Sequence, residues 1–256
     1  MADASTETEL PLIGHLLELR ARLVRIIAGI FIAFAPLAYF GKEIYAFMAQ
    51  PLLSLLPTGA TMIATEVASP FFAPMKLAGI LAAVLSMPWT LYQVWAFVAP
   101  GLYRNEQRFV MPLMVSSTLL FYGGIAFAYF FVLPAVFHFM VGIAPDGVAV
   151  MTDINKYLDF VLSIFLAFGI AFETPVAIVL LVATGFVTTA QLRAQRQYVL
   201  VGAFVVAAVL TPPDVLSQLL LAIPAYILYE IGIVAAAWFA PKRSDKDEPS
   251  TDVDAA

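Results

Sequence analysis

The sequence predicts an all-α integral membrane protein of six transmembrane helices, with both termini on the inner side and an ordered cap on the outer face. Three observations predict it. Of 256 residues, 62% are hydrophobic and only 12% are charged, with a mean hydropathy of +0.92, a balance that water-soluble domains do not carry. Several apolar runs reach or approach the ~20 residues that cross a bilayer as helix. Ten of the thirteen Lys and Arg residues fall on segments that a six-span chain puts on one side: Arg20, Arg22, Arg25, Arg104, Arg108, Arg193, Arg196, Lys242, Arg243 and Lys246. Only Lys42, Lys76 and Lys156 remain for the other side. The positive-inside rule then puts both termini in the cytoplasm.

Residues 1–14 are polar and are expected to form a disordered cytoplasmic tail, as are residues 241–256; the membrane domain is expected over 15–240. The formal charge of −5 comes mainly from acidic residues in these tails. No cleavable signal segment is expected, because the N-terminus is acidic and no small-residue cleavage site follows the first apolar run. The stretch before the first span is dense in helix formers, and Glu18 and Arg22 stand as an i,i+4 pair.

The first span is expected over Leu23–Phe40. Gly41–Lys76 is too charged and too rich in proline to be a span, with prolines at 51, 57, 70 and 74. It also carries Phe47, Leu52, Leu53, Phe71 and Phe72, so an ordered cap on the membrane surface fits it better than a linker. The second span, Leu77–Phe97, should kink at Pro88, and Trp89, Tyr92 and Trp95 suit an interfacial end. A polar island follows at Phe97–Arg108, opened by the Pro100-Gly101 break. It reads either as a connection whose arginines fix orientation or as a site.

The third span, Phe109–Phe137, is long enough to need tilt. Residues 138–156 form a loop with the turn Pro145-Asp146-Gly147. The fourth span is expected over Tyr157–Val187, followed by a short basic loop, Gln191–Arg196. The fifth, Tyr198–Thr211, has only 14 residues, about 21 Å of helix against a hydrocarbon core of about 30 Å. Pro212-Pro213-Asp214 makes a tight turn, with Asp214 a helix cap. The sixth span, Val215–Phe239, is interrupted by Pro224.

Glu173 stands inside the fourth span, where an ionised carboxylate costs at least about 2.5–3.5 kcal/mol. It must face a polar cavity, find a partner, or be protonated. Pro175 leaves the Ala171 carbonyl without its usual helical donor. Glu230 is also within a span but nearer its cytoplasmic end, which suits an interfacial position. Thr211, Asp214 and Gln218 surround the last turn, either as a capped turn at the surface or as polar handles for another transmembrane helix. His15 and His138 read as structural and Glu66 as a solvated loop residue. Cysteine is absent and there are only two histidines. No nucleophile elbow, zinc-binding His pair or phosphate-cradling glycine loop is present. Neither catalysis nor a metal or cofactor is therefore expected.

Four stretches carry a resemblance: His15-Leu16-Leu17-Glu18-Leu19-Arg20-Ala21-Arg22-Leu23, Ala99-Pro100-Gly101-Leu102-Tyr103-Arg104-Asn105-Glu106, Phe168-Gly169-x-x-Phe172-Glu173-x-Pro175, and Thr211-Pro212-Pro213-Asp214-x-x-Ser217-Gln218. In this order and spacing the chain resembles the TatC family, the receptor subunit of the twin-arginine protein translocase. One departure is Gln107, where the family often has a basic residue.

The resemblance implies a concave, glove-like bundle in a prokaryotic plasma (inner) membrane, part of an oligomeric receptor complex with no nucleic-acid partner. It implies binding of signal peptides with two adjacent arginines and export of folded proteins with TatA- and TatB-type single-span partners, driven by the proton-motive force. Glu106 and Glu18 would read the arginine pair, with Arg20, Phe97 and Tyr103 beside them. Pro51 would support the cap and Glu173 would be an intramembrane polar site. Thr211, Asp214, Gln218 and Val205 would dock partner helices. The residues alone also admit a proton-coupled small-molecule transporter with Glu173 as its proton site. An intramembrane enzyme is disfavoured by the missing motifs.

Overall fold

Proline, glycine and one carboxylate divide the apolar runs into eleven helices among the described residues. The structure, a computed structural model, describes residues 6–54, 61–98, 110–143, 151–210 and 215–239, with side chains over 14–238 of these. The helices are α1 (Thr6–Tyr39), α2 (Gly41–Leu53), α3 (Ser69–Leu85), α4 (Met87–Val98), α5 (Val110–Phe127), α6 (Leu133–Gly142), α7 (Ile154–Phe172), α8 (Thr174–Ala183), α9 (Thr189–Ala194), α10 (Arg196–Leu210) and α11 (Val215–Phe239). A single π-helical turn, Ala128–Val132, joins α5 to α6. Four helical stretches are long and apolar enough to cross a membrane, and the bent pair α3–α4 makes a fifth. The chain is a multi-pass, all-helical membrane protein.

Several boundaries differ from the sequence expectation, each for a local reason. Helix α1 starts at Thr6, inside the segment read as a tail. The expected cap Gly41–Lys76 is helical at both ends, as α2 and the start of α3, because Pro70 sits in the first turn of α3 where its missing N–H costs nothing. The second span therefore runs from Ser69 to Val98 and bends by 48°. The break falls at Ser86, just ahead of Pro88, which has no N–H to offer the Val84 carbonyl. The Tyr122 hydroxyl donates to that carbonyl at 3.1 Å and reaches the Leu85 carbonyl at 3.2 Å.

In the third span, Pro134 likewise withholds a donor, and the chain widens so that the Leu133 amide bonds to the Ala128 carbonyl, an i→i+5 bond. The fourth span breaks at Glu173, between α7 and α8, as Pro175 anticipates; the Glu173 amide bonds to the Ile170 carbonyl at 3.0 Å. The basic loop expected at Gln191–Arg196 is mostly helix α9. Thr188 and Gln191 form a reciprocal capping box at its start. Helix α10 begins at Arg196 and has 15 residues, so the fifth apolar helix stays short at about 22 Å.

Helix α7 is the central post. At the cap end Tyr157, Val161, Ile164, Phe165 and Phe168 pack on Val132, Leu133, Val136 and Phe137 and on Ala49 and Leu52 of α2. The Tyr157 hydroxyl donates to the Met48 carbonyl at 2.5 Å, so the post carries the cap directly. Leu158 and Leu162 meet Ala73 and Leu77 of α3. At the other end α8 packs on α11 and on Leu91 and Trp95 of α4 through Val176, Ile178, Val179 and Val182. Helices α5 and α7 meet closely at Gly124, where a Cβ would stand 2.5 Å from the Phe168 carbonyl oxygen.

Asp153 ties the cap to the start of α7. One carboxylate oxygen caps the helix by accepting from the Asn155 and Lys156 amides at 2.9 and 3.1 Å. The other accepts from the Thr65 amide at 3.0 Å and its hydroxyl at 2.7 Å. Backbone bonds from Ile63 to Thr152 and from Ile154 to Ile63 flank them. The Thr65 hydroxyl, then its amide and those of Lys156 and Asn155, hold the Asp153 carboxyl down at about 2.

A depressed carboxyl contributes stability above its ordinary value of 3.8, and that contribution is lost as pH falls through the folded value. The clamp is thus fully formed at neutral pH and weakens between about pH 4 and 2. Amide exchange at Thr65 and Asn155, corrected for intrinsic rates, should be flat from pH 7 to about 4 and accelerate below it. In Asp153→Asn that acid step should vanish; an unchanged step would show that another group carries it.

Candidate functional site

Helices α1 and α4 lie against each other, and near the C-terminus of α4 the contact brings His15, Glu18 and Arg22 of α1 beside Gln93 and Phe97. The i,i+4 pair expected from spacing is present: Arg22 Nε and Nη2 donate to the same Glu18 oxygen, Oε1, at 2.9 and 2.5 Å. Arg22 Nη1 also reaches Gln93 Oε1 at 3.5 Å, and Gln93 is 2% exposed. A buried amide on α4 thereby orients a guanidinium that orients a carboxylate on α1. Glu18 Oε2 has no partner among the described residues. One turn before Glu18, the His15 ring stacks on Phe97 with centroids 4.2 Å apart and planes at 19°. Arg20 is exposed on the same stretch. The result is an aromatic wall beside a half-exposed carboxylate. Glu106 and Tyr103, expected to complete this cluster, lie outside the described residues.

The second place is Glu173. The break between α7 and α8 turns its side chain toward α5, where the buried Ser117 hydroxyl donates to Oε2. Oε1 is buried and has no hydrogen-bond partner among the described residues. Among the described residues no cation pairs with this carboxylate. Of the readings open for an intramembrane Glu, a partner on a neighbouring helix is what the structure contains. Such a group can hold a proton or accept a polar group from another helix.

The third place is the α10–α11 hairpin. Val205 is exposed on α10 and Gln218 is half-buried on α11, while Thr211 and Asp214 lie outside the described residues. Beside Val205, a groove of about 460 Å³ is lined by small and apolar residues including Ala167, Ala171, Gly202 and Ala203. Helices α10 and α11 are tied by Arg196, which donates to Glu230 at 2.6 Å, with Tyr226 donating to the other Glu230 oxygen at 3.1 Å. Glu230 thus sits as the start of α10 requires. Pro51 lies in α2 and is half-buried in the cap. Among the described residues no three His, Asp or Glu side chains converge to hold a metal ion.

At these three places the links that escaped sequence reasoning are Gln93 to Arg22, Ser117 to Glu173, and Arg196 to Glu230. A lone amide in α4 and paired serines in α5 were the available signals for the first two.

Against this geometry, a family profile described as Sec-independent protein translocase protein (TatC) matches residues 14–224. The chain belongs to the TatC family. It is 54% identical over 249 residues to the Sec-independent protein translocase protein TatC of Azotobacter chroococcum mcd 1, covering 97% of this chain and 96% of that one. It is 54% identical over 244 residues to the TatC protein of Escherichia coli (strain K12), covering 95% of each. The TatC protein of Aquifex aeolicus is 38% identical over 92% of this chain and 98% of its own. Two crystal structures of the twin arginine translocase receptor TatC superpose with TM-scores of 0.79 and 0.80 at 37% identity, covering 88% and 87% of this chain and 99% of theirs. The match spans α1 to the middle of α11, so the TatC fold includes all three places described above.

Proposed function

We propose that this protein is the receptor subunit of a twin-arginine translocase. It would bind the paired arginines of a signal peptide at its cytoplasmic face and, with TatA- and TatB-type single-span partners, support proton-motive-force-driven export of folded proteins. It would act in a prokaryotic inner membrane as a six-span chain with both termini inside, within an oligomeric receptor complex and without catalysing a covalent reaction.

The observation that carries this reading is membership of the TatC family over nearly the whole chain. The α1–α4 end supports it chemically. Glu18 offers an open oxygen to a guanidinium, and a carboxylate can take an arginine through two parallel charge-assisted hydrogen bonds. The His15–Phe97 wall offers a face on which a guanidinium can stack. Family membership favours this reading over a small-solute transporter. In a photocrosslinking scan of the purified chain with a twin-arginine peptide, probes at His15, Phe97 and Tyr103 should capture the peptide, and a Lys-Lys peptide should compete poorly. Equal capture of both peptides would overturn the proposal.

We place the docking of the single-span partners on the α10–α11 hairpin. The short α10 supports this, since a helix of about 22 Å is accommodated by local thinning or by association with other helices. Photocrosslinkers at Val205 and Gln218 should capture a TatA- or TatB-type helix several-fold more often than one at Ala126, which is exposed on α5. Lengthening α10 by about four leucines should leave peptide binding intact and impair export; normal export by that variant would remove the thinning argument while leaving the docking site standing.

A further inference from the structure

We propose that the groove between α1 and α4 beside Arg25 is a binding site for one anionic phospholipid. The headgroup phosphate would sit on the Arg25 guanidinium and an acyl chain would lie against Ala28, Gly29 and Trp89.

The groove measures about 310 Å³ and is lined by Arg25, Ala28, Gly29, Ile32 and Trp89. It is built by side chains that fix each other. The Trp89 indole N–H donates to the Arg25 carbonyl at 3.0 Å, which sets the ring edge-on to α1. Trp89 lies so close to Gly29 that a Cβ there would stand 2.6 Å from the ring, so only glycine lets the indole form this wall. Tyr92 stacks on the same indole with centroids 5.8 Å apart and is itself exposed.

Charge selects the occupant. Lys76 pairs with Asp159, Arg22 with Glu18 and Arg196 with Glu230. Arg25, in contrast, has neither an ion-pair nor a hydrogen-bond partner for its side chain among the described residues, and it belongs to the apolar stretch Gly14–Tyr39. Arg25 is 14 residues before the exposed Tyr39, about 21 Å along the helix. If Tyr39 marks one boundary of a hydrocarbon core of about 30 Å, Arg25 starts about 9 Å inside the other and snorkels toward it. A guanidinium at that depth needs an anion that can descend to meet it, and a phosphate tethered to a buried tail does so. Directly beneath, the groove offers an apolar trough for the tail, and the indole and phenol suit the headgroup level. A zwitterionic lipid brings its own cation to the same phosphate, so the site favours a net anionic headgroup.

The test uses the purified full-length chain in phosphatidylcholine nanodiscs doped with phosphatidylglycerol. Retained lipid is counted by native mass spectrometry and folding is checked by thermal melting. The wild type should retain one phosphatidylglycerol in preference to phosphatidylcholine. Arg25→Gln should lose about tenfold in that preference, the scale of one charge-assisted contact. Ala28→Trp, which fills the trough without touching charge, should lose it too. Arg25→Lys should keep most of it, and Arg193→Gln, an equal loss of charge at another exposed site, should keep all of it.

Two results would overturn the proposal. One is phosphatidylglycerol retention unchanged in Arg25→Gln. The other is retention lost in Arg25→Gln but kept in a folded Ala28→Trp and competed away by millimolar inorganic phosphate, which would leave only a surface cation for any phosphate. Should Ala28→Trp fail to fold, Ile32→Trp at the exposed rim of the same trough takes its place.

Discussion

Replacing Glu106 with glutamine should weaken binding of a twin-arginine peptide by at least about 30-fold, because losing one partner of a shielded charge pair costs about 2–5 kcal/mol. The substitution keeps the side chain's size and removes only its charge. Binding of a Lys-Lys peptide should change far less, since an ammonium cannot make the parallel pair of bonds that a guanidinium makes. Glu18→Gln should have a smaller effect, and the structure gives the reason: Arg22 already engages Oε1 at 2.5 and 2.9 Å, so only Oε2 is open to an incoming arginine. Gln93→Leu should lie between wild type and Glu18→Gln, because it frees Arg22 to swing without removing the carboxylate. Calorimetric titration of the purified variants with both peptides checks the order. Equal affinity of wild type and Glu106→Gln for the arginine peptide would remove Glu106 from the site.

Gly124→Val should destabilise the bundle by about 1–3 kcal/mol or more, and Gly123→Val should be close to neutral. The two positions are neighbours on one helix and share the same change in helix propensity, so the difference isolates packing. At Gly124 a Cβ meets the Phe168 carbonyl oxygen at 2.5 Å and the Phe172 ring at 2.9 Å. The first of these is backbone and cannot rotate away. At Gly123 nothing lies within 4 Å. Thermal melting in detergent measures the difference. Gly124→Val also carries a functional consequence, because Ser117 stands two turns away on the same face of α5. Forcing α5 from α7 should separate Ser117 from Glu173 and so impair export even in molecules that remain folded. Equal melting of the two variants would mean that α5 shifts to admit the new side chain.

Much of the architecture was legible because its causes are local. Apolar length and the distribution of Lys and Arg are properties of short windows, and they pointed to a multi-pass helical protein. Pro88 and Pro175 each remove a donor, and a break lies within a few residues of each; the widened turn ahead of Pro134 was not foreseen, and Pro224, expected to interrupt the last span, lies inside the continuous helix α11. The boundary of the cap was misjudged because Pro70 and Pro74 were read as breakers, whereas Pro70 stands in the first turn, where proline starts a helix, and Pro74 is accommodated inside α3. Helix α9 was missed although Thr188-Thr189-Ala190-Gln191 is a capping-box pattern; Arg193 and Arg196 drew attention to charge instead.

What the sequence determined by itself was therefore the solvent class, the breaks near Pro88 and Pro175, and the i,i+4 ion pair of Glu18 with Arg22. Each depends on residues a few positions apart, where covalent geometry limits what can meet. The tertiary structure decided the rest. Gln93 meets Arg22 across 71 residues, Ser117 meets Glu173 across 56, Thr65 meets Asp153 across 88 and Arg196 meets Glu230 across 34. In a span that is apolar all round, hydropathy does not say which face turns inward. Helix rotation and register are set by the fit of small against large side chains, as at Gly124 on Phe168 and Gly29 on Trp89, because lipid offers no hydrophobic force to drive helices together. Those contacts choose which polar groups face one another, and with them where the candidate sites lie.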